Sequence, residues 1–498
     1  MNFGPPPPVD HLTDVPDLEN QRQAQLSAVP ATPTVLDAHF DCAAAPMATK
    51  ISDTEFSLDY QHKDDDGGPD GVYWFMFKLK GVAGKAVRID LKGIPLDKWH
   101  TLNPVYQYAD GAVPAISEPL LPDDYNLRSA KTVDGHNGTR MPDTSGEPGG
   151  WHFIQDVWAT GGSTLSFVHT FDKNDATVAM RTPFTLEDEE ALMAQATQDK
   201  APPDMAAQVI DIGKTPEGRT LHVVKLSSGG EQGEKGHPCI LMYAREHADE
   251  HDSSWLVAGA LRWLLADNEK AQDLRSKFTF MFIPILDVDL AAKSGHAHVI
   301  TSFLPNAVTP ESIAYAGFFE KWMQKGNPAD IVFNFHNMES AEGENLVPPI
   351  FPPKDSPWSA PTIALHREIR AEEQSEGFSV HQDSWTTQFS PERLGGWLAG
   401  VYGALHLPYE ANSQNPQRHV LATEISRAGS VMLQAGCAFL TSDASRASRK
   451  LSADGRGAYE ERWGKYGTQL RQGDVIAMES QIRELEQSRA LLDAVLQK

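Results

Sequence analysis

One short segment combines a strand, a polar turn and a helix, and it constrains the fold more than any other feature of the chain. The apolar run Cys239–Met242 leads into a polar stretch, and an amphipathic segment, Leu256–Leu265, follows. The turn contains His247 and Glu250, with two residues between them. An imidazole and a carboxylate at this spacing can both reach one divalent ion, since zinc takes nitrogen and oxygen ligands at about 2.0–2.2 Å. The segment therefore predicts a metal site at the end of a strand.

Two later apolar runs also end in a side chain that suits a metal centre. Ile331–Phe335 is followed by His336, and Leu405–Tyr409 is followed by Glu410. Apolar runs alternate with helical patterns from about residue 206, which is typical of an α/β domain with a parallel or mixed sheet. Ligands of open α/β sheets gather outside the carboxyl ends of the strands. We therefore expect these side chains to meet the first pair at one edge of the sheet.

These side chains divide into a ligand set and a base. A catalytic zinc takes three protein ligands and keeps one position open for water, and His247, Glu250 and His336 make that set. Glu410 is left as a carboxylate that can act as general base for the bound water. Asp287 or Asp289 is a candidate for orienting the His247 ring through a hydrogen bond, and the alternative is that both are ordinary turn residues. The sequence thus predicts one Zn²⁺ ion and a hydrolytic reaction.

Segments along much of the chain follow an order that is found in one enzyme family. They are Tyr73–Phe77, Asn103–Tyr106, Arg181–Thr185, Arg245–Glu250, Ser253–Trp255, Phe280–Asp289, Phe335–Asn337 and Tyr409–Glu410. In this order they resemble the zinc carboxypeptidases, and more closely their cytosolic carboxypeptidase subgroup, over roughly residues 37–440. The resemblance implies an α/β catalytic domain with a mixed sheet, a preceding all-β sandwich domain, one zinc ion and a peptide or amide substrate.

One element expected of that family is missing. Its members normally carry an Asp-x-Asn-Arg segment between the second and third ligands, and the arginine binds the C-terminal carboxylate of the peptide. Here the interval Asp289–Asp330 contains no arginine, and Leu304–Ala307 stands where the segment is expected. Either another cation takes the role, or the substrate has no free carboxylate there. The candidate cations are Lys293, Arg393, Arg418 and Arg427.

The sequence leaves three functions open. The resemblance implies a zinc metallopeptidase of carboxypeptidase type. The missing arginine favours a zinc amidase or deacylase that acts on a substrate without a free C-terminal carboxylate. The third possibility is a non-catalytic binding module that retains the fold.

A second metal motif overlaps the first. Residues 247–251 also spell His-x-x-Glu-His, in which both histidines bind the metal and Glu250 is the base. That arrangement needs all five residues in one helix, whereas the preceding strand is expected to continue to Ala244. It would also leave His336 and Glu410 without a function.

Composition divides the chain into five segments. A proline-rich lead-in, residues 1–36, is expected to be disordered. Short aromatic or β-branched runs between turn residues predict a β-sandwich domain over residues 37–172. An acidic linker with a short helix covers 173–204 and contains Ala201-Pro202-Pro203. The catalytic domain is predicted over 205–440, and a polar tail that ends in an amphipathic helix over 441–498.

The net charge of −25 disfavours partners with anionic surfaces. Nucleic acids and acidic membranes attract basic proteins, so neither is expected as a partner. Cys42, Cys239 and Cys437 lie in apolar contexts and are expected to be reduced. No apolar stretch reaches roughly 18 residues, and the N-terminus lacks the charged and apolar regions of a signal peptide. These features predict a cytoplasmic protein.

Overall fold

Three β-sheets organise the part of the chain that the computed structural model describes. The lead-in up to residue 32, Leu304–Ala307, and the tail from residue 443 with its predicted helix lie outside the described residues. The described residues are 33–60, 74–108, 135–136, 150–160, 163–197, 206–227, 237–294, 303, 309–325, 327, 329–337, 344–347, 359–381, 393–402, 404–415 and 418–442.

The first part of the chain forms short strands, as its aromatic and β-branched runs predict. A single turn of helix, α1 (Leu96–Trp99), lies among them. The strands are β1 (Val35–Asp37), β2 (Thr49–Lys50), β3 (Glu55–Asp59), β4 (Met76–Lys80), β5 (Ala86–Lys92), β6 (Val105–Tyr108), β7 (Gly135–His136), β8 (His152–Phe153), β9 (Val157–Thr160), β10 (Thr164–Thr170) and β11 (Asp175–Ala179).

These strands lie in two sheets whose side chains share one hydrophobic cluster. The sheet orders are β1-β4-β11-β6-β8 and β2-β3-β5-β10-β9-β7. The pairs are antiparallel, except that β3 and β5 are parallel. Along β5, Val87, Ile89 and Leu91 are buried while the residues between them are less so, as expected where one face of a sheet covers a core. Strand β11 extends the first sheet beyond residue 172, where the sequence placed the start of the linker.

Helices and strands alternate in the second part of the chain. No helix among the described residues is both long enough and apolar enough to span a bilayer. The helices are α2 (Leu186–Thr197), α3 (His251–Leu265), α4 (Glu269–Lys277), α5 (Val288–Lys293), α6 (Pro310–Gln324), α7 (Ser359–Ser375), α8 (Leu394–Tyr402) and α9 (Ala422–Thr441). The strands are β12 (Ala206–Lys214), β13 (Thr220–Ser227), β14 (Cys239–Ala244), β15 (Thr279–Ile283), β16 (Ile331–Asn337), β17 (Leu346–Val347) and β18 (Leu405–Ala411).

The third sheet is mixed, with the order β12-β13-β15-β14-β16-β18-β17. Strand β14 is parallel to β15 and β16, and β16 is parallel to β18, while the outer strands are antiparallel to their neighbours. Central parallel strands are covered on both faces, which explains why β14 is buried along its whole length and appears as a continuous apolar run. The carboxyl ends of β14, β16 and β18 therefore lie at one edge of the sheet.

Helix α3 begins directly after the turn with His247 and Glu250, and it crosses α9 at very short range. A Cβ atom added to Gly259 on α3 would lie 1.9 Å from the carbonyl oxygen of Ser426. A Cβ atom added to Gly429 on α9 would lie 1.9 Å from the carbonyl oxygen of Leu256. The obstructing atoms belong to the backbone, so only glycine fits at both positions. The crossing thus fixes the helix that starts at the candidate metal site.

Buried polar contacts join the first two sheets to the α/β part of the chain. The side-chain amide of Gln414 accepts from the backbone nitrogen of Asn103 at 3.0 Å and donates to its carbonyl oxygen at 2.9 Å. Arg181 Nη1 donates to Asp252 Oδ2 at 2.9 Å, and both side chains are buried. Both contacts lie close in sequence to predicted site residues, because Asp252 is the second residue of α3 and Gln414 follows β18.

Candidate metal centre

A residue with a strained backbone conformation directly follows strand β14. Arg245 has a φ of 66°, which lies in the left-handed region that residues other than glycine rarely adopt. Its guanidinium is buried and donates to the carbonyl oxygen of Phe184 at 3.1 Å. Strained residues of this kind persist where the surrounding structure holds them, and they concentrate at functional sites.

The three side chains predicted as metal ligands converge just beyond this residue. His247 Nδ1 lies 2.7 Å from Glu250 Oε1, and His336 Nδ1 lies 2.9 Å from Glu250 Oε2. The two Nδ1 atoms are 3.2 Å apart. Glu250 and His336 are buried, and His247 is partly exposed. Within the described ranges, this is the one group of three or more acidic, histidine or cysteine side chains that could hold a metal ion.

The chemistry of this donor set fits a divalent cation. Two imidazole nitrogens and a carboxylate face one another, and these are ligands that zinc takes. Burial alone would lower the pKa of His336, but the charge of Glu250, hydrogen bonds with Glu246 and Glu250, and the charge of Glu410 raise this pKa well above its usual value. Burial alone would likewise raise the pKa of Glu250, but His247 and His336 hold it well below its usual value. The negative field that favours a protonated imidazole also favours a bound metal cation.

Glu410 lies beside His336 on the neighbouring strand. The register of β16 and β18 pairs the two residues, so their side chains leave the sheet on the same side, from strands about 4.8 Å apart. Glu410 is partly buried, and its charge raises the pKa of His336. The preceding residue, Tyr409, is buried, and its hydroxyl lies 2.6 Å from His366 Nδ1. Glu410 is thus next to the ligand cluster without belonging to it.

A further carboxylate, Glu246, contacts the far edge of the His336 ring. Its Oε2 lies 3.3 Å from His336 Nε2 and 3.7 Å from Arg393 Nη1, and it accepts from Asn334 Nδ2 at 3.2 Å. The hydroxyl of Tyr243 donates to Oε1 at 3.1 Å. Burial alone would raise the pKa of Glu246, but the contact with His336 and the charge of Arg393 lower it to about 2. Glu246 is therefore an ionised carboxylate in the interior.

The two candidate acids for orienting His247, Asp287 and Asp289, form hydrogen bonds with other residues. Asp287 caps helix α5 by accepting from the backbone nitrogen of Leu290 at 2.9 Å. Asp289 accepts from the hydroxyl of Thr215 and from Arg219 Nη1, both at 2.8 Å. The carboxylate that contacts the outer ring nitrogen of a predicted ligand is therefore Glu246, which contacts His336.

Sequence reasoning did not find Glu246 or its partner Asn334. Asn334 does carry a usable signal, because it is a polar residue within an apolar run and lies two positions before His336. Residues two apart along a strand share a face, so Asn334 was placed to point the same way as that histidine. Glu246 carries no such signal, because it follows the end of β14 and belongs to no periodic pattern.

The overlapping His-x-x-Glu-His motif does not share one helix. Helix α3 begins at His251, so His247 and Glu250 precede it. His251 is buried, stacks on Trp74 with ring centroids 3.9 Å apart, and accepts from the backbone nitrogen of Phe184 through Nδ1 at 3.0 Å. The imidazole that joins His247 and Glu250 is that of His336.

Among the four cations considered as substitutes for the missing arginine, Arg393 is next to the ligand cluster. Its side chain is 28% exposed, and it is held beside Glu246. The other three form ion pairs elsewhere: Lys293 with Glu217, Arg418 with Glu424, and Arg427 with Glu376.

Comparison with known proteins shows a resemblance to one family in part of the chain. Residues 193–297 match the sequence model of the zinc carboxypeptidases. Cytosolic carboxypeptidase 1 of Gallus gallus is 26% identical over 160 residues, and that of Homo sapiens is 24% identical over 160 residues. Each alignment covers 29% of this chain but only 13% of the relative, so this chain matches a small part of those proteins.

Solved structures extend the likeness to most of the chain at the level of the fold. A metallo-carboxypeptidase from Burkholderia cenocepacia has a TM-score of 0.61 and 15% identity, covering 82% of this chain and 99% of that one. The corresponding values for a metallo-carboxypeptidase from Pseudomonas aeruginosa are 0.58, 16%, 82% and 99%. The predicted resemblance to the zinc carboxypeptidases is confirmed: residues 193–297 match the sequence model of that family, and most of the chain has a fold similar to that of metallo-carboxypeptidases.

Proposed function

We propose that this protein is a zinc-dependent hydrolase of metallocarboxypeptidase type that cleaves a peptide or amide bond. The observation that carries the proposal is the convergence of His247, Glu250 and His336, with Glu410 in register beside His336. Three ligands and a separate carboxylate are the groups that metal-assisted hydrolysis requires. The zinc carboxypeptidase domain of the chain supports the same reaction.

Each side chain has a distinct role in the proposed reaction. His247 and His336 would hold one zinc ion through Nδ1, and Glu250 through its carboxylate. The ion, when bound, supplies Lewis acidity toward water and toward the carbonyl of the scissile bond. Glu410 accepts a proton from the attacking water and then transfers it to the leaving amine. Support for this role of Glu410 comes from its register directly opposite His336 on the neighbouring strand.

Two substitutions test these roles separately. Glu410→Gln is expected to lower turnover by roughly 10²–10⁴-fold and to leave the zinc content at that of the wild type. His336→Ala is expected to remove zinc and activity together. Loss of zinc in Glu410→Gln would show that Glu410 is a ligand. Loss of zinc in His251→Ala, but not in His336→Ala, would support the overlapping motif instead.

We also propose that Arg393 binds the C-terminal carboxylate of the substrate. Support comes from its partial exposure and from its position beside Glu246, next to the ligand cluster. The guanidinium group is well suited to carboxylates, since it offers donors in a fixed fork. Arg393→Met is then expected to raise KM for peptides with a free C-terminus and to leave kcat nearly unchanged. The same KM increase for C-terminally amidated peptides would contradict this role.

A zinc amidase or deacylase is the second candidate function. The absence of arginine from the interval Asp289–Asp330 favours it, because the family's usual carboxylate-binding residue lies there. Matched pairs of peptides, free and amidated at the C-terminus, distinguish the two functions. A carboxypeptidase cleaves only the free form, whereas an amidase or deacylase tolerates the amide.

We further propose that β1 to β11 form a β-sandwich domain. The proposed catalytic domain follows it and spans residues 205–440. Support comes from their own hydrophobic cluster, which includes Phe77 and Leu91 and is separate from the cluster around the third sheet. Limited proteolysis is expected to cut first between residues 198 and 205. First cleavage within β12 to β18 would contradict this division.

A further inference from the structure

Glu246 is a buried charge that the proposed reaction does not use. Its side chain is 3% exposed. An ionised carboxylate at this depth is costly unless it is paired and hydrogen-bonded. Its neighbours meet that need, since Tyr243 and Asn334 donate to it and Arg393 lies 3.7 Å away. One more neighbour, His336, connects this charge to the metal site.

The contact with Glu246 fixes the tautomer of His336. The Nδ1 atom of this ring faces Glu250 and His247, whereas Nε2, on the opposite edge, lies 3.3 Å from Glu246 Oε2. Both oxygens of Glu246 accept hydrogen bonds, Oε1 from the Tyr243 hydroxyl at 3.1 Å and Oε2 from Asn334 Nδ2 at 3.2 Å. The ring nitrogen that faces this acceptor, Nε2, therefore carries the proton, which leaves the lone pair of Nδ1 for the ligand cluster. Carboxylates that accept from the other ring nitrogen of a metal ligand orient that ring and raise its basicity.

The local backbone explains how Glu246 reaches this position. Residues three apart in an extended strand point to opposite faces, yet the Tyr243 hydroxyl and Glu246 Oε1 are 3.1 Å apart. Arg245, with its left-handed φ of 66°, lies between them and breaks the alternation. Asn334 reaches the same carboxylate from β16, on the face that also carries His336.

We propose that Glu246 is the positioning residue of His336, and that its carboxylate holds the imidazole with Nδ1 directed at Glu250 and His247. This inference rests on the proposed function, because it assumes that His336 binds zinc. Without the carboxylate, the ring would lose the acceptor that fixes its orientation and its tautomer. Loss of such a contact typically weakens metal binding by about 10–100-fold.

The test compares zinc affinity in the full-length wild type and in three variants. Glu246→Gln removes the charge while keeping the shape, and Glu246→Leu also removes the acceptor. Glu311→Gln is the matched control, because it makes the same change at a carboxylate that is also 3% exposed but lies on α6. The Kd for Zn²⁺ is measured by competition with a chromogenic chelator. The visible spectrum of the Co²⁺-substituted protein reports the ligand geometry, and the Tm of the metal-free forms reports the fold.

Both Glu246 variants are expected to raise the Kd by about 10–100-fold and to change the Co²⁺ spectrum, whereas Glu311→Gln changes neither. A wild-type Kd in both Glu246 variants would overturn the inference. The inference would also be overturned if Glu311→Gln raised the Kd for Zn²⁺ as much as the Glu246 variants do, with an equal loss of Tm. If the wild type binds no stoichiometric zinc, or if His336→Ala keeps the wild-type Kd, the proposed function fails and this inference fails with it.

Discussion

Replacing Gly259 with alanine is expected to force helices α3 and α9 apart. The added Cβ would lie 1.9, 2.3 and 2.5 Å from the oxygen, carbonyl carbon and Cα of Ser426. Carbon atoms pack at about 3.5–4.0 Å, so the two backbones would have to separate by roughly 1.5 Å. Overpacking costs about 1–3 kcal/mol, and a clash with backbone atoms at this distance lies at the upper end, at about 3 kcal/mol. The better helix propensity of alanine offsets about 1 kcal/mol of that cost. The net loss of unfolding free energy is therefore about 2 kcal/mol.

Thermal unfolding measures this loss, and Gly317→Ala provides the matched control. For a domain of 150–250 residues, about 2 kcal/mol lowers the Tm by roughly 4–8 °C. A Cβ at Gly317, on α6, would meet nothing within 4 Å, so alanine there is expected to leave the Tm unchanged or to raise it. Zinc affinity should fall in Gly259→Ala as well, because α3 starts directly after Glu250. An equal rise of Tm in both variants would refute the close crossing.

Three further predictions concern buried polar groups, with Tm as the measurement. Burial raises the pKa of Glu189 to about 8 from 4.5, so its stabilising contribution is complete below about pH 4.5 and is lost as the pH rises toward 8. Glu189→Gln should therefore have the wild-type Tm at pH 4.5. At pH 7 its Tm should exceed that of the wild type by an amount that corresponds to about 3 kcal/mol of unfolding free energy. A variant whose Tm equals that of the wild type at pH 7 as well would contradict this prediction. Asp252→Asn should destabilise by about 3–5 kcal/mol because it removes the charge that offsets buried Arg181, and an unchanged Tm would show that the pair contributes little. Gln414→Ala should lower the free energy of unfolding by about 3 kcal/mol, since it removes two hydrogen bonds to Asn103 and one to the carbonyl oxygen of Met180. A loss below about 1 kcal/mol would mean that water replaces these hydrogen bonds.

The ends of the central strands could be predicted because of how these strands are buried. Parallel strands that are covered on both faces appear as continuous apolar runs. Strand β14 is a run of that type, and β16 is one as well except for Asn334. The polar residue that ends such a run lies at the carboxyl edge of the sheet, where α/β proteins bind ligands. That reasoning led from the sequence to His247, His336 and Glu410 without any knowledge of their contacts.

The network around Glu246 could not be predicted, because it depends on a backbone conformation that the local sequence does not specify. Left-handed residues are usually glycine, asparagine or aspartate, whereas the residue here is Arg245. The burial of His251 was equally hidden, since its stacking partner Trp74 belongs to a distant part of the chain. Local periodicity describes which face of an element is apolar, and it gives no information on which remote side chain will cover a polar one.

The buried contacts between the first two sheets and the α/β part restrict relative movement of these two parts next to the candidate metal centre. Asp252, held by Arg181, comes two residues after Glu250, and Gln414, held by Asn103, comes four residues after Glu410. A hinge motion between these two parts would have to break a buried ion pair and the hydrogen bonds of Gln414, and it would displace the segments that carry Glu250 and Glu410. The β-rich part therefore restrains the edge of the third sheet that carries the proposed ligand Glu250 and the proposed base Glu410.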